Sequence, residues 1–236
     1  MPIQKILLAA SPLFKNISGE KAEKLVHCLQ GKMPVYEQDT ILAEPGEAYP
    51  FFGLLLAGKM AYEEVDKSGN VRLLARVEIG DVFGEATVAT ERPMPCRLKA
   101  AAGTRVLLLR YDLLMGGCSN QCPEHVQLRK NFTGLLAEKL QLMTRKVHYL
   151  TIKSLRARMT AFLLDCKKQF GHNTFTLPYN QTALAVFLGA NRSALSRTIS
   201  QMCRDGLIET AGRSYKILNE TALQEQLETI FAENRA

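Results

Sequence analysis

The sequence predicts an α+β chain in three parts: a β-rich N-terminal domain, a long central helix, and a helical C-terminal domain closed by a β-wing. Three observations predict it. Between residues 33 and 112, short apolar and β-branched runs alternate with turn residues at regular intervals. From Pro123 onward, apolar residues recur with the spacing of a helix. Between residues 180 and 202, two short helical patterns meet at Gly189-Ala190. The chain has 236 residues, 47% of them apolar, enough for one or two domains with real cores.

Residues 12–31 read as helical, with Leu25 and Leu29 on one face. The β-rich part is punctuated by Glu44-Pro45-Gly46-Glu47, Ala57-Gly58-Lys59, Ile79-Gly80-Asp81 and Ala102-Gly103-Thr104. Short strands with such signals indicate a sandwich or barrel. Lys67-Ser68-Gly69-Asn70, between MAYEEV and VRLLARV, reads as a hairpin tip.

Pro123 suits the first turn of the long helix. Leu136, Leu140, Met143, Val147 and Leu150 then follow at spacings of 4, 3, 4 and 3, which is a coiled-coil seam. Phe132, Leu135 and Leu142 make a second stripe, suited to packing on the barrel. A helix over 123–150 is about 42 Å long at about 1.5 Å per residue. A seam beside a second stripe fits a helix shared between a barrel and a second copy of the chain, hence a homodimer. A hinge near Thr151-Ile152-Lys153 leads into a helix over 154–170, then the paired helices, the wing GLIETAGRSYKIL and a last short amphipathic helix. The expected domains are 1–122, 123–152 (helix and hinge) and 153–236.

The paired helices carry the chemistry. Asn180 is an N-cap, Leu184 and Leu188 give the first helix its apolar face, and Gly189 permits the tight turn. In the second helix Leu195, Ile199 and Met202 form an inward stripe. Arg192, Ser193, Ser196, Arg197 and Ser200 form a separate polar stripe, and no carboxylate follows until Asp205. An ordinary solvated helix mixes Glu with Lys at i, i+4. An acid-free stripe of arginines and small hydroxyls suits a polyanion with readable base edges, so this face predicts DNA binding. Charge agrees: the formal net charge is +7, and residues 154–219 hold nine Lys/Arg against three acids. Arg213 at the wing tip reads equally as a phosphate contact and as a solvated turn charge.

Other classes fall away. The first 14 residues are too short and too weakly apolar for a signal peptide, and no run reaches the length of a membrane span. The six cysteines are scattered, so reduced thiols in the cytoplasm are expected. A metal-dependent barrel enzyme needs histidines on strands, and residues 33–112 contain none. No phosphate loop, nucleophile triad or paired-carboxylate motif stands out, so no enzyme activity and no cofactor is expected.

The order of elements and several motifs resemble the catabolite activator protein and fumarate-nitrate regulator (CRP/FNR) family of bacterial transcription regulators. The motifs are Ser11-Pro12-Leu13-Phe14, Gly80-Asp81-Val82-Phe83-Gly84-Glu85, EKLQLMTRKVHYL and GANRSALSRTISQMCRDGLIE. The resemblance spans nearly the whole chain. It implies a cyclic-nucleotide-binding-like β-roll (jelly roll), a long dimerisation helix and a winged helix-turn-helix. It also implies a dimer on a palindromic double-stranded DNA operator, with RNA polymerase as a partner if the protein activates. Asn191 is expected at the DNA interface, Arg197 matches the family's guanine-contacting arginine, Ser196 matches a base-contacting position, and Arg192 matches a base or phosphate contact. Ser193 departs from the family's frequent Glu, which puts the usual half-site sequence in doubt.

The resemblance also implies an effector site. Gly84-Glu85 matches the pair that holds the ribose of a cyclic nucleotide. The Arg-Ser pair that holds the cyclic phosphate falls on Met94-Pro95, which supplies neither cation nor hydroxyl. A buried phosphate needs a paired cation, so cyclic AMP is not the expected effector. Arg92 and Arg97 are the nearby cations that would substitute, if strand alternation turns either inward. Met143 and Thr144 match the helix positions that reach the pocket, and the expectation is a more apolar, phosphate-free effector. Cys118, Cys122 and His125 have a C-x3-C-x2-H spacing with no evident fourth ligand, and ordinary thiols at a helix start are expected. An iron–sulfur cluster is not expected, because Cys28 is the lone N-terminal cysteine. A second class stays open: a nucleotide-type sensor acting on a protein partner.

Overall fold

The computed structural model describes residues 8, 11–116 and 122–233. These residues form two compact units, 1–138 and 139–236.

In the first unit, a single 3-10 turn, Pro12–Phe14, follows Ser11, whose hydroxyl accepts a hydrogen bond from Leu13 N–H. Helix α1 spans Gly19–Cys28. The single helix expected over 12–31 is therefore broken. Asn16 takes a positive φ of 64° between the two pieces, which ends the first.

Eight strands follow: β1 Val35–Tyr36, β2 Thr40–Ala43, β3 Phe51–Ala57, β4 Met60–Val65, β5 Val71–Val77, β6 Val82–Phe83, β7 Arg97–Ala100 and β8 Thr104–Arg110. They form two antiparallel four-stranded sheets, ordered β1-β8-β3-β6 and β2-β7-β4-β5. The turn signals at 57–59, 67–70, 79–81 and 102–104 all fall between strands. At the β4–β5 tip the Asp66 carboxylate accepts from the Ser68 and Asn70 amides, which fixes the hairpin.

Strands β3 and β8 are buried on both faces. Phe52, Leu54, Leu56, Leu107 and Leu109 face α1, while Leu55, Val106 and Leu108 face the interior between the sheets. This double burial accounts for the unbroken runs FFGLLLA and TRVLLLR, which lack polar alternation. Two short helices interrupt the β-rich region: α2, Glu85–Thr90, and α3, Tyr111–Gly116. Neither shows a helical repeat long enough to detect from sequence.

Helix α4 runs Pro123–Thr151, within a residue of its expected end. Its first half belongs to the first unit. Phe132 packs edge-on against Phe52, with ring centroids 4.8 Å apart, and Leu135 lies on the same core. Leu142, the third member of the expected barrel-packing stripe, does not pack there. It lines a cleft of the second unit with Tyr149, Phe162 and Phe187. Of the seam residues, Leu136 is half-buried against the β-roll core, while Leu140, Met143, Val147 and Leu150 are exposed.

His125, in the first turn of α4, is buried with Nδ1 unpartnered. Burial, helped by the Arg129 cation and opposed by Glu124, holds its pKa below the ordinary value near 6.5. The unfolded chain then takes up a proton that the folded chain resists. Stability is whole above pH 6.5 and declines as pH falls below it, by at most about 1.4 kcal/mol per pH unit. Urea unfolding between pH 7 and pH 5 is expected to show a flatter acid limb in His125→Leu. An equally steep limb in that variant would mean that other groups carry the acid response.

The second unit has its own core. Helix α5, Leu155–Phe170, is capped by Ser154, whose hydroxyl accepts from Ala157 N–H, and ends at Gly171. Then come β9 Thr174–Thr176, α6 Gln181–Phe187, α7 Arg192–Arg204, β10 Ile208–Ala211, β11 Ser214–Ile217 and α8 Glu220–Glu233. Strands β10 and β11 form the expected wing. The unanticipated β9 pairs with β11 and completes a three-stranded sheet.

Candidate functional site

Helix α7 owes its position to two caps and one stripe. The Asn180 side chain accepts from Ala183 N–H and starts α6. The Asn191 side chain accepts from Ala194 N–H at 2.8 Å and from the Ser193 hydroxyl at 2.8 Å, and starts α7. Leu195, Ile199 and Met202 are buried in the core of the second unit. The opposite face follows from that burial: Arg192, Ser193, Arg197 and Ser200 are exposed and Ser196 is half-buried. Asn191 is committed to the cap, so its carboxamide oxygen is not free for a base.

Among the described residues, no carboxylate pairs with Arg192 or Arg197. The acid nearest in sequence, Asp205, is taken by Arg156 at 2.6 Å. Its carboxyl is held below the usual range by Arg156 first and Gln201 second. Arg156, Arg197, Arg204 and Gln201, with Ser196 and Ser200, line a surface depression of about 560 Å³ beside the helix. Arg156 and Arg204 were missed by sequence reasoning. Arg204 is seven residues beyond Arg197 and so lies on the same face, a detectable signal. Arg156 comes from α5, and no sequence spacing points to it. Arg213 is exposed at the wing tip, where its carbonyl accepts from Leu177 N–H.

The β-roll holds the second set of candidates. Gly84 sits at φ 74° and its N–H donates to the Tyr62 hydroxyl at 3.0 Å. A Cβ there would lie 2.7 Å from the Phe51 carbonyl oxygen, so only glycine fits this corner. Glu85 is half-buried and opens α2. Met94 is buried in the interior with Tyr49, Phe83, Leu98 and Leu108, and the Thr87 hydroxyl donates to its sulfur at 3.0 Å. Pro95 is exposed.

The two substitute cations are not brought to this corner. Arg97 alternates with buried Leu98 on β7 and so points away from the interior. It is held there by a two-pronged pair with Glu44, at 3.0 and 2.7 Å. Arg92 is exposed and lines a separate cavity of about 410 Å³ with Tyr49, Thr87 and Arg110, to which neither Gly84 nor Glu85 contributes. Met143 and Thr144 lie on the part of α4 that belongs to the second unit. Both are exposed, and the Thr144 hydroxyl donates to the Leu140 carbonyl at 2.9 Å.

Cys118 lies outside the described residues. Among those described, no group of three His, Cys, Asp or Glu residues is placed to hold a metal ion.

Two family models match the chain: the cyclic nucleotide-binding domain over residues 34–120 and the Crp-like helix-turn-helix domain over residues 157–226. The probable transcriptional regulator flp of Lacticaseibacillus casei is 28% identical over 220 residues, covering 92% of this chain and 96% of that protein. The cyclic AMP receptor protein of Thermus thermophilus is 24% identical, covering 93% of this chain and 98% of that one. Among solved structures, CprK complexed with OCPA superposes with a TM-score of 0.61 at 16% identity, covering 86% of this chain and 93% of that one. A CooA mutant from Carboxydothermus hydrogenoformans gives 0.59 at 19%, covering 95% and 99%. At those identities the structures speak to the fold alone.

Proposed function

Because this chain belongs to the CRP/FNR family of transcription regulators, we propose that it acts as a cytoplasmic homodimer that reads a palindromic DNA operator under the control of a small, phosphate-free effector. The observation that carries the DNA reading is the exposed face of α7, where Arg192 and Arg197 stand without a carboxylate partner among the described residues. Arg197 is the base-reading residue, since its planar fork can donate twice to guanine O6 and N7. Arg192, Arg204 and Arg213 supply phosphate contacts. Ser193 and Ser196 offer hydroxyls to base edges or backbone.

Support for the dimer is the exposed apolar row on α4. Val126, Leu140, Met143, Val147 and Leu150 are all open to solvent in a single chain. Val126 falls two heptads ahead of Leu140, with Thr133 at the position between, and the continuous apolar seam runs from half-buried Leu136 to Leu150. A row of this length left in water is an expected dimer interface.

Support for a phosphate-free effector is the interior at Met94. The family position that would face a cyclic phosphate holds a packed thioether, and Arg97 is already neutralised by Glu44. A phosphate buried there would lack a counter-charge. Met143 and Thr144 remain the proposed helix-side contacts of the effector, and RNA polymerase the further partner if the protein activates.

The test is selection of bound duplexes from a randomised pool by the full chain, followed by titration of the winning sequence at several salt concentrations. A two-fold symmetric sequence is expected, with affinity falling steeply as salt rises. Enrichment of no sequence would overturn the reading and favour a sensor that docks on protein. Native mass spectrometry of the same preparation with cyclic AMP is expected to show a dimer without added nucleotide and with unchanged operator affinity. A retained nucleotide would sink the phosphate-free assignment.

A further inference from the structure

Helix α4 ends at Thr151, and α6 ends at Phe187 just before the turn into α7. Each leaves carbonyl oxygens without intrahelical donors. The guanidinium of Arg158, on α5, lies between the two ends. Its Nε donates to the Ile152 carbonyl at 2.7 Å and its Nη2 to the Lys153 carbonyl at 3.3 Å. Its Nη1 donates to the Leu188 carbonyl at 3.0 Å and to the Gly189 carbonyl at 3.3 Å. One cation therefore ties together the residues that immediately follow two helices, near where the negative ends of both dipoles converge.

A second contact runs alongside. Gly189 has φ 65°, and a Cβ on it would stand 2.4 Å from Cδ2 of Leu150, the last seam residue. The backbone of the turn thus rests directly on the end of α4.

We propose that Arg158 is the positioning residue that couples the dimer helix to the recognition helix: it bolts the C-terminal end of α4 to the turn that starts α7, so that a movement of α4 carries α7 with it. The proposal rests on the reading of α7 as a DNA-reading helix and α4 as a dimer helix. All three guanidinium nitrogens, fixed in one plane, donate in two directions. A lysine at this position keeps the charge and can serve one helix end, but not both.

The test uses the full chain and its Arg158→Lys and Arg158→Met variants. Hydrogen exchange followed by mass spectrometry is read at residues 152–154, at residues 188–191 and in the α5 core around 162–164. Both variants are expected to lose protection roughly tenfold or more in the first two segments together, with the α5 core unchanged. Equal loss in the core would mean that Arg158 only stabilises the fold. Unchanged protection in the first two segments would remove the bolt altogether.

The operator selected by the parent protein then provides a functional arm. Its half-sites are moved together or apart by one or two base pairs. The parent protein is expected to tolerate one spacing, while Arg158→Lys binds the altered spacings with less than about a threefold penalty. A variant that keeps the parent spacing preference would overturn the coupling role. A parent protein that selects no paired half-sites would instead defeat the dimeric DNA reading, while the exchange experiment still decides whether Arg158 joins the two helix ends.

Discussion

Replacing Arg197 by alanine is expected to abolish operator preference while leaving a salt-sensitive affinity for any duplex. The side chain is exposed and has no carboxylate partner among the described residues, so thermal stability should stay within about 0.5 kcal/mol of the parent. A two-bonded arginine–guanine contact is worth about 1–3 kcal/mol. A symmetric dimer loses it twice, so the preference should fall by roughly 30-fold to 10⁴-fold. Arg204→Ala provides the contrast. Its loss should weaken operator and random duplex alike, and should lower the salt slope by about one per protomer. Fluorescence anisotropy on both duplexes across a salt series reads all of these quantities. An Arg197→Ala protein that still ranks operator above random DNA would move the base-reading role elsewhere, to Arg192 or the serines beside it.

The second large effect is expected from Val147→Glu. Val147 is 61% exposed in the single chain, so a glutamate costs one chain little. In the proposed seam two such carboxylates would face each other across a dry interface. Removing a partner from a buried charge costs about 3–5 kcal/mol, and here neither charge has one. Dimerisation should weaken by roughly two to four orders of magnitude for one such charge alone. Analytical ultracentrifugation is expected to show a folded monomer at micromolar concentration. Binding to the full operator should collapse toward that of a half-site, because the second contact is no longer intramolecular. A variant that remains dimeric would place the interface on another surface and leave the exposed row on α4 without its assigned role.

The regions legible in the sequence share one property: their structure is set by local spacing. The heptad of α4, the Asn180 cap and the turn chemistry between strands are all encoded within a few residues. The recognition face is of the same kind, since burial of Leu195, Ile199 and Met202 turns Arg192 and Arg197 outward whatever else surrounds the helix. The broken first helix, α2, α3 and β9 were not legible. Each is three to ten residues long and takes its shape from neighbours distant in sequence, as β9 does from β11.

Site residues divide the same way. Arg97 resembled a spare cation for the β-roll until the structure gave it Glu44, 53 residues away in sequence, and turned it off the interior. Arg156 showed no motif at all, yet it neutralises Asp205 beside the recognition helix. Leu142 continued the stripe of Phe132 and Leu135 but belongs to the other unit. The chain's own order of residues thus determined which faces exist: a buried stripe, a seam and an acid-free face are periodicities, and a periodicity needs no partner to be read. Which charges remain available on those faces, and which helix ends are tied together by Arg158, was decided only by tertiary structure, because an ion pair or a carbonyl bridge depends on distances between segments that local spacing does not encode.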